Sequence, residues 1–482
     1  MPRTGRKSVK VNYIYNLVYQ ILLLLTPFIT TPYVARVLGV SGVGAYSYTT
    51  AVVSCFILIA NMGTSYYASR EIAYYQNDIE KRSRIFWEVI ILRCIMTVVS
   101  LGIYWGITHN SEYATVFAIQ TITIVAVLLD VSWFFTGIEE FKITVTRDTM
   151  VKVVSIAFIF LFVKDRNDLW IYVLGIVGAA FLGNASFWLY LPKFIKKYPI
   201  NQLKPFRDIK IVLQLFIPFV ATQIYTTLGK VILEHFDPTA MENGYFEQSE
   251  KIVKISLALL TTLGTVMVPR YAYLFKNEKW EEIQRYLKKG FSFVWMIGIP
   301  ICLGIISISN SFVPWFFGEG YGKVITLLYV FPFVVLSIGL NNVLGIQYLI
   351  PTSRQNHYTL TVVIGAIINV IVCFILIPRY FSLGAVIAFV LAETSIAILQ
   401  IIILKKEIPL RTILGTAKKY LVAGMLMFLV TSILGMYVPE TAGGTAIVVI
   451  VGGTIYGGML LILKDEFVLE FLSSILNKMR KG

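Results

Sequence analysis

The sequence predicts an all-α integral membrane protein with about 14 transmembrane helices. Three observations predict it. The 482-residue chain is 57% apolar and 14% charged, with a mean hydropathy of +0.74, which soluble domains do not reach. Its apolar residues come in runs of about 20, the length that crosses a bilayer as a helix. Lys and Arg gather in alternate connections between those runs, the pattern of the positive-inside rule. The candidate spans are 13–35, 43–68, 85–106, 114–135, 143–163, 169–190, 209–234, 245–268, 290–308, 324–346, 357–377, 383–404, 418–438 and 443–463.

The first stretch, 1–12, is basic, with Arg3, Arg6, Lys7 and Lys10. No small-residue cleavage pattern follows the first apolar run, so it reads as a retained cytoplasmic tail. Spans 1 and 2 face each other across a Gly-rich turn, Val37–Gly44. Asn12, Asn16, Tyr19 and Gln20 recur at helical spacing and put amides and a phenol on one face. Pro27 and Pro32 interrupt the same span and free backbone groups that need a polar or wet partner. Such a span suits the wall of a water-filled cavity; the alternative is a polar helix end at the membrane interface.

The connections then alternate. Arg70–Arg84, Lys193–Lys210, Arg270–Lys289 and Lys405–Lys419 are basic. With both ends on the same side, about 33 of the 42 Lys and Arg fall inside, about 5 outside and about 4 within spans. This places both termini in the cytoplasm. It also accounts for most of the net charge of +15 without any nucleic acid. External connections are short, and Ser309–Lys323 has the aromatics of an interfacial loop. The tail Asp465–Arg480 is amphipathic and suits the cytoplasmic membrane surface. Cys55, Cys94, Cys302 and Cys373 lie in different spans and, with three His, suggest neither a disulfide framework nor a metal site.

The chain resembles itself at an offset of about 191 to 201 residues. Pro27-Phe28-Ile29-Thr30-Thr31 pairs with Pro218-Phe219-Val220-Ala221-Thr222, and Gly44-Ala45-Tyr46 pairs with Gly244-Tyr245-Phe246. Met62-Gly63-Thr64 before Arg70 pairs with Leu263-Gly264-Thr265 before Arg270. Six spans per unit keep both units in one orientation, a parallel repeat around a central site. The expected organisation is a tail (1–12), an N-lobe of spans 1–6 (13–190) and a linker (191–208). A C-lobe of spans 7–12 (209–404), spans 13 and 14 (418–463) and the amphipathic tail (464–482) follow.

Ionisable residues within spans are functional candidates, because each costs roughly 2.5–3.5 kcal/mol on insertion scales. Lys230 lies deep in span 7 beside Gln223, Thr226 and Thr227. Lys251 and Lys254 share a face of span 8, and Arg36 ends span 1. Together they suggest a cationic zone in the outer half of a central cavity. Glu247 and Glu250 precede the two span-8 lysines by four residues, so a neutralised helix end is the competing reading. Arg93 in span 3 and Asp130 in span 4 suggest either a structural ion pair or a cytoplasmic access point. Arg147, Asp148 and Lys152 open span 5 and are expected to face water. Glu393 in span 12 suits a coupling proton or cation, or a partner on another helix. No phosphate-binding Gly-rich loop with Lys-Ser/Thr occurs, and Ser, His and Asp show no triad-like clustering. A carrier is favoured over an enzyme, and no cofactor is implied.

The stretch NYIYNLVYQILLLLTPFITTPYVARVLGVSGVGAYSY, with the ending GTSYYASREIA, resembles the Wzx-type oligosaccharide flippases of the multidrug/oligosaccharidyl-lipid/polysaccharide exporter superfamily. The likeness covers the whole chain in span number and is densest over Asn12–Ala73. It implies two six-helix lobes around a cavity, plus two C-terminal helices. The implied substrate is an undecaprenyl-diphosphate-linked oligosaccharide, moved from the cytoplasmic to the outer leaflet of a bacterial cytoplasmic membrane for O-antigen or capsule assembly. Implied partners are membrane lipids and the polysaccharide polymerase and chain-length proteins. In the related lipid II flippases, cavity arginines near the first two spans and on span 8 matter; Arg36 sits in a matching segment, and span 8 offers Lys251 and Lys254 instead. A diphosphate needs a cationic site, here Lys230, Lys251, Lys254 and Arg36. Asn16, Tyr19, Gln20 and Gln223 would face sugars. The rival within the superfamily is a drug/cation antiporter, which uses acidic residues in its N-terminal lobe; spans 1 and 2 have none before Glu71.

Overall fold

The computed structural model describes the backbone of residues 9–465 and 467–469. It describes their side chains apart from 9–25, 215, 218, 259, 261–266 and 269. All regular structure among these residues is helical. Two compact units divide the chain, Met1–Gly244 and Tyr245–Gly482.

The first unit begins with α1 (Val9–Asn61), which is two helices joined at Gly39, where φ is +69° and ψ 179°. Only glycine adopts such a conformation cheaply. The break falls inside the expected turn 37–44. Met62 and Gly63, both at positive φ, separate α1 from α2 (Thr64–Tyr74). α3 (Ile79–Thr108) starts on the Asp78 side chain, which accepts from Lys81 N. α4 (Ala114–Leu129) and α5 (Ser132–Gly137) are separated by a break at Asp130. α6 (Phe141–Phe162), α7 (Leu169–Ser186) and α8 (Ile209–Phe236) follow.

A long stretch of chain joins α7 to α8, and it is fastened to α3 by specific bonds. Arg82 donates to Phe194 O, Trp87 Nε1 to Lys196 O at 3.1 Å, and Lys196 N to Ser83 Oγ at 2.9 Å. Lys204 N donates to Glu88 Oε1 at 3.0 Å, with Arg207 Nη2 3.2 Å from the same oxygen. These bonds hold the start of α8 to the first unit, where its length packs on α1. The expected linker is thus an ordered strap, and the helix expected to open the second lobe in chain order groups by contact with the first unit.

α9 (Met241–Lys276) leads into the second unit, with α10 (Trp280–Phe317), α11 (Gly322–Leu328) and α12 (Phe333–Asn341). α12 runs on as a π-helical turn over Asn342–Leu349. α13 (Gln355–Tyr380) and α14 (Ser382–Leu404) form an antiparallel pair turned at Phe381. α15 (Leu410–Gly415), α16 (Ala417–Gly435) and α17 (Ala442–Ile462) end the described chain. α16 and α17 pack on α10, and Trp295, Met427 and Tyr456 lie in their shared core.

Among the described residues nine stretches are long and apolar enough to cross a membrane, or ten if the bent pair Gly322–Leu328 and Phe333–Leu349 is one span. The expected fourteen is consistent with this. Thr26–Tyr74 is one stretch here although Gly39 folds it, and α6, α8 and α9 occupy the fifth, seventh and eighth expected spans. α6 carries Arg147, Asp148 and Lys152, which lowers its hydropathy. The chain is a multi-pass helical membrane protein. The amphipathic tail beyond residue 469 and the basic tail before residue 9 lie outside the described residues.

Candidate functional site

α8 carries a polar stripe in an otherwise apolar helix. Gln223, Thr227, Lys230 and Glu234 follow one another at three- and four-residue spacing and so share a face. That face meets α1: Thr227 Oγ1 lies 3.7 Å from Cys55 Sγ. Thr226 and Thr227 both return their hydroxyls to Gln223 O, at 3.1 and 2.6 Å, so the threonines satisfy themselves within the helix. Lys230 is half-buried, and its carbonyl accepts from Asn243 Nδ2 at 3.0 Å. The same Asn243 nitrogen reaches Glu234 Oε2 at 2.9 Å. Glu234 is buried, and Tyr48 and Tyr113 lie within its electrostatic reach. The Glu234 carboxylate, the Asn243 amide and the Tyr48 and Tyr113 phenols therefore gather at one end of α8, with Lys230 one turn before Glu234 on the same helix face. Gln120 Nε2 donates to Thr49 Oγ1 and Thr50 Oγ1, each at 3.2 Å.

Two glycines meet reciprocally. A Cβ added to Gly44 would lie 1.7 Å from Ala240 O, and one added to Gly244 would lie 2.2 Å from Val40 O. Residues 40 and 44 stand to 240 and 244 at an offset within that of the internal repeat. The contact is thus the same on both sides, glycine Cα against the carbonyl four residues earlier in the partner segment.

The remaining candidates fall in several places. Arg36 is exposed in the first unit, and Gln223 is half-buried there. The side chains of Asn16, Tyr19 and Gln20 lie outside the described residues. In the second unit, Lys251 Nζ pairs with Glu247 Oε1 at 3.4 Å and Lys254 Nζ with Glu250 Oε1 at 2.8 Å. This is the helical pairing that the sequence spacing offered as the competing reading. Lys254 is exposed while Glu250 is buried, and Lys251 is half-buried.

Arg93 and Asp130 do meet, but not as an ion pair. Arg93 is buried, and its guanidinium donates to Asp130 O at 2.7 Å and Val127 O at 3.3 Å. It also donates to Thr64 Oγ1 and Ser65 Oγ at 2.7 Å and to Asn61 Oδ1 at 3.0 Å. The Asp130 carboxylate instead accepts from Ser132 N at 3.0 Å and stands 3.8 Å from Arg147 Nη2. The break between α4 and α5 explains the exchange: it frees the carbonyls of Val127 and Asp130, and a guanidinium is the donor that can take both. Arg147, expected to face water, is largely covered and lies over the Phe187 ring at 4.3 Å. Arg93 lies over Trp133 at 5.4 Å.

Glu393 is buried in the second unit, where Asn341 Nδ2 donates to its Oε2 at 2.7 Å and to its carbonyl at 3.2 Å. The polar residues that sequence reasoning missed lie on α14 or on the segments packed against it: Ser337, Asn341, Asn342, Gln347, Thr361 and Gln400 are all buried. Their signal in the sequence is amides recurring in two apolar helices, spans 10 and 12, where no formal charge marks them. Also missed was a clamp between two connections. Arg354 Nη1 and Nη2 lie 2.6 and 2.9 Å from the Glu407 carboxylate oxygens, and Tyr348 donates to Glu407 at 2.8 Å.

Hydrogen bonding from Arg354 holds the Glu407 carboxyl below its ordinary range, against the opposing effect of partial burial. The clamp therefore stabilises fully above the free-glutamate pKa of about 4.3 and fades as pH falls through the lowered folded value. Both groups are partly exposed, so about 1 kcal/mol is its upper bound. Glu407→Gln is expected to melt slightly below wild type at neutral pH, with the gap closing below about pH 4. Thermal unfolding in detergent across pH checks this; a gap that widens in acid contradicts it.

The profile of the polysaccharide biosynthesis protein family matches residues 9–275. A Shigella dysenteriae protein that carries the name O-antigen transporter is 24% identical over 396 residues, covering 78% of this chain and 95% of that one. One of the same name from Escherichia coli strain K12 is 22% identical, covering 84% and 98%. Among solved structures, the lipid II flippase MurJ in an inward closed conformation superposes with a TM-score of 0.72. It is 15% identical, and the match covers 95% of this chain and 99% of that one. The fold is therefore that of this class of transporter.

Proposed function

The chain belongs to the polysaccharide biosynthesis protein family, and from that premise we propose that it is a flippase for undecaprenyl-diphosphate-linked oligosaccharides. It moves them from the cytoplasmic to the outer leaflet of the cytoplasmic membrane by alternating access, with both termini cytoplasmic. The names of the matched relatives, transporters of O-antigen, support the glycan. The observation that carries the reading is Lys230, a half-buried lysine on the polar stripe of α8, the helix that packs on α1. A lipid-linked glycan presents a diphosphate at the membrane surface, and a cation beside amides and phenols matches a diphosphate followed by sugars. Lys251, Lys254 and Arg36 are the further cations proposed for the diphosphate, with Gln223, Asn16, Tyr19 and Gln20 for the sugars. The Glu247 and Glu250 pairs make Lys251 and Lys254 the weaker members.

Energetics allow the step without ATP. A membrane potential contributes roughly 2.3 kcal/mol per charge per 100 mV, so moving about two negative charges outward is downhill by several kcal/mol.

The test is export in a host that lacks its own flippase and carries the matching glycan cluster. The protein should clear accumulated undecaprenyl-diphosphate oligosaccharide and restore surface glycan. A charge-assisted hydrogen bond is worth about 1.5–3 kcal/mol, so Lys230→Ala should slow clearance roughly 10- to 100-fold at matched protein level. Normal surface glycan in that variant removes Lys230 from the mechanism. Persistent accumulation with wild-type protein in the membrane rejects the flippase and turns attention to drug efflux.

A further inference from the structure

The second unit contains a buried polar column that the glycan site does not use. It begins at Ser337 and Thr394, whose hydroxyls lie 2.9 Å apart across α12 and α14. One turn on, Asn341 bonds Glu393. α12 then widens into the π turn, a form of helix found at functional sites far more often than its rarity predicts. Within that turn Gln347 Nε2 donates to Asn342 Oδ1 at 2.9 Å. Gly345 lies over Gln400: a Cβ there would be 3.0 Å from Gln400 Nε2 and 2.7 Å from the Tyr358 ring. Gln400 in turn donates to Thr361 Oγ1 at 3.3 Å. Glu393 and Gln400 are seven residues apart on α14, two turns on one face. Polar groups thus run from the connection after α12 to a carboxylate deep in the helix pair.

Three oxygens of this column, Asn341 Oδ1, Gln347 Oε1 and Gln400 Oε1, are buried with no hydrogen-bond donor among the described residues. Buried amides are normally satisfied, since each orphaned acceptor costs about 1–3 kcal/mol. Three such acceptors on α12, its π turn and α14, the helix that carries a buried carboxylate, call for a mobile donor. Among the described residues no group of three or more His, Cys, Asp or Glu gathers that would hold a metal ion. The group that Asn341 turns toward Glu393 is an N–H donor, which suits a carboxylate and disfavours a cation in the same position.

We propose that Glu393 is a proton-binding site, reached from the π-turn end of the second unit along Gln347 and Gln400. The carboxylate takes one proton on an oxygen, an O–H bond forms, and the buried charge is removed. Release reverses the step. Charge on Glu393 strengthens the Asn341 bond and holds α12 against α14; protonation weakens it and lets the seam shift. The titratable side chain facing Glu393 from α13 is Tyr358. α12 and the π turn present Ser337, Asn341, Asn342 and Gln347, which do not titrate. On α11, Lys323 stands over the Phe381 ring, at the far end of α14. That this proton drives glycan movement rests on the flippase reading; its binding does not.

The experiment uses the purified full-length chain in lipid nanodiscs and infrared difference spectra between acid and alkaline buffer, which need no glycan. Wild type should show a carboxylic-acid band appearing with acid that Glu393→Gln loses while melting at the wild-type temperature. The same band in Glu393→Gln overturns the proposal. Should Glu393→Gln misfold, Glu393→Asp decides: a shifted band supports the site and an unshifted one rejects it. Export in cells then separates the two readings. Loss of the band in Glu393→Gln, with wild type failing to clear the lipid-linked glycan, keeps the proton site and rejects the flippase. Clearance by wild type, with the band intact in Glu393→Gln, does the reverse.

Discussion

Arg93→Ala is expected to remove about 3–5 kcal/mol of stability and most of the folded protein. Hydrogen bonds between neutral groups inside a membrane average only about 0.6 kcal/mol, so no single contact accounts for this. The size comes from number and charge. The Arg93 guanidinium gives five bonds, to the end of the second helix of α1, to both leading residues of α2, and to the carbonyls freed at the α4–α5 break. Charge-assisted bonds are roughly twice as strong as neutral ones. The Asp130 carbonyl keeps the Trp133 indole N–H, and the Asn61 amide oxygen keeps the Thr64 and Ser65 hydroxyls, so the loss lies in the charge-assisted bonds and in the space left by the buried side chain. Arg93→Lys keeps the charge but not the planar fork, and should fall between. The measurement is thermal unfolding in detergent with the monodisperse yield from membranes. An unchanged midpoint for Arg93→Ala would show that the guanidinium is dispensable to the fold.

This arginine shows where sequence reasoning stops. A charge inside span 3 was plain, and so was an acidic residue at a similar depth in span 4. What spacing along a helix does not reveal is a backbone break, and the break after Leu129 turns carbonyls, not the carboxylate, toward Arg93. The Lys251 and Lys254 pairs were legible because their partners lie on the same helix, four residues away. The turn at Gly39 was legible because a Gly-rich stretch between two apolar runs has little else to do. The clamp of Arg354 on Glu407 was not, since the two residues are far apart in sequence and meet only because α13 and α14 return to the same end. The polar column around Glu393 fell between these cases. Its residues stand in the sequence, but the amides of Asn341 and Gln400 carry no formal charge and so do not stand out from an apolar helix as Glu393 does.

Gly44→Ala and Gly244→Ala are each expected to abolish most export, for one shared reason. The added Cβ would lie 1.7 Å from the Ala240 carbonyl oxygen in the first variant and 2.2 Å from the Val40 carbonyl oxygen in the second. Real Cβ atoms essentially never come within 3.0 Å of another heavy atom, and here the obstruction is backbone, which no change of rotamer relieves. The two segments must separate by about 1 Å or more, and overpacking of that kind typically costs about 1–3 kcal/mol. Ala240 makes the separation harder, because its φ of +58° already strains the turn that would have to yield. Both variants force the same separation, so the double variant should cost clearly less than the sum of the singles. Gly102→Ala supplies the control: nothing lies within 4 Å of its added Cβ, so helix propensity alone acts, and the variant should be neutral or more stable. Thermal midpoints of the four variants against wild type, with surface glycan at matched expression, give the answer. Strict additivity would mean that the two glycines act in separate contacts. A reciprocal glycine contact at matching positions of an internal repeat lets two backbone segments close on each other with no side chain between them, which is why one added methyl on either side meets the same obstruction.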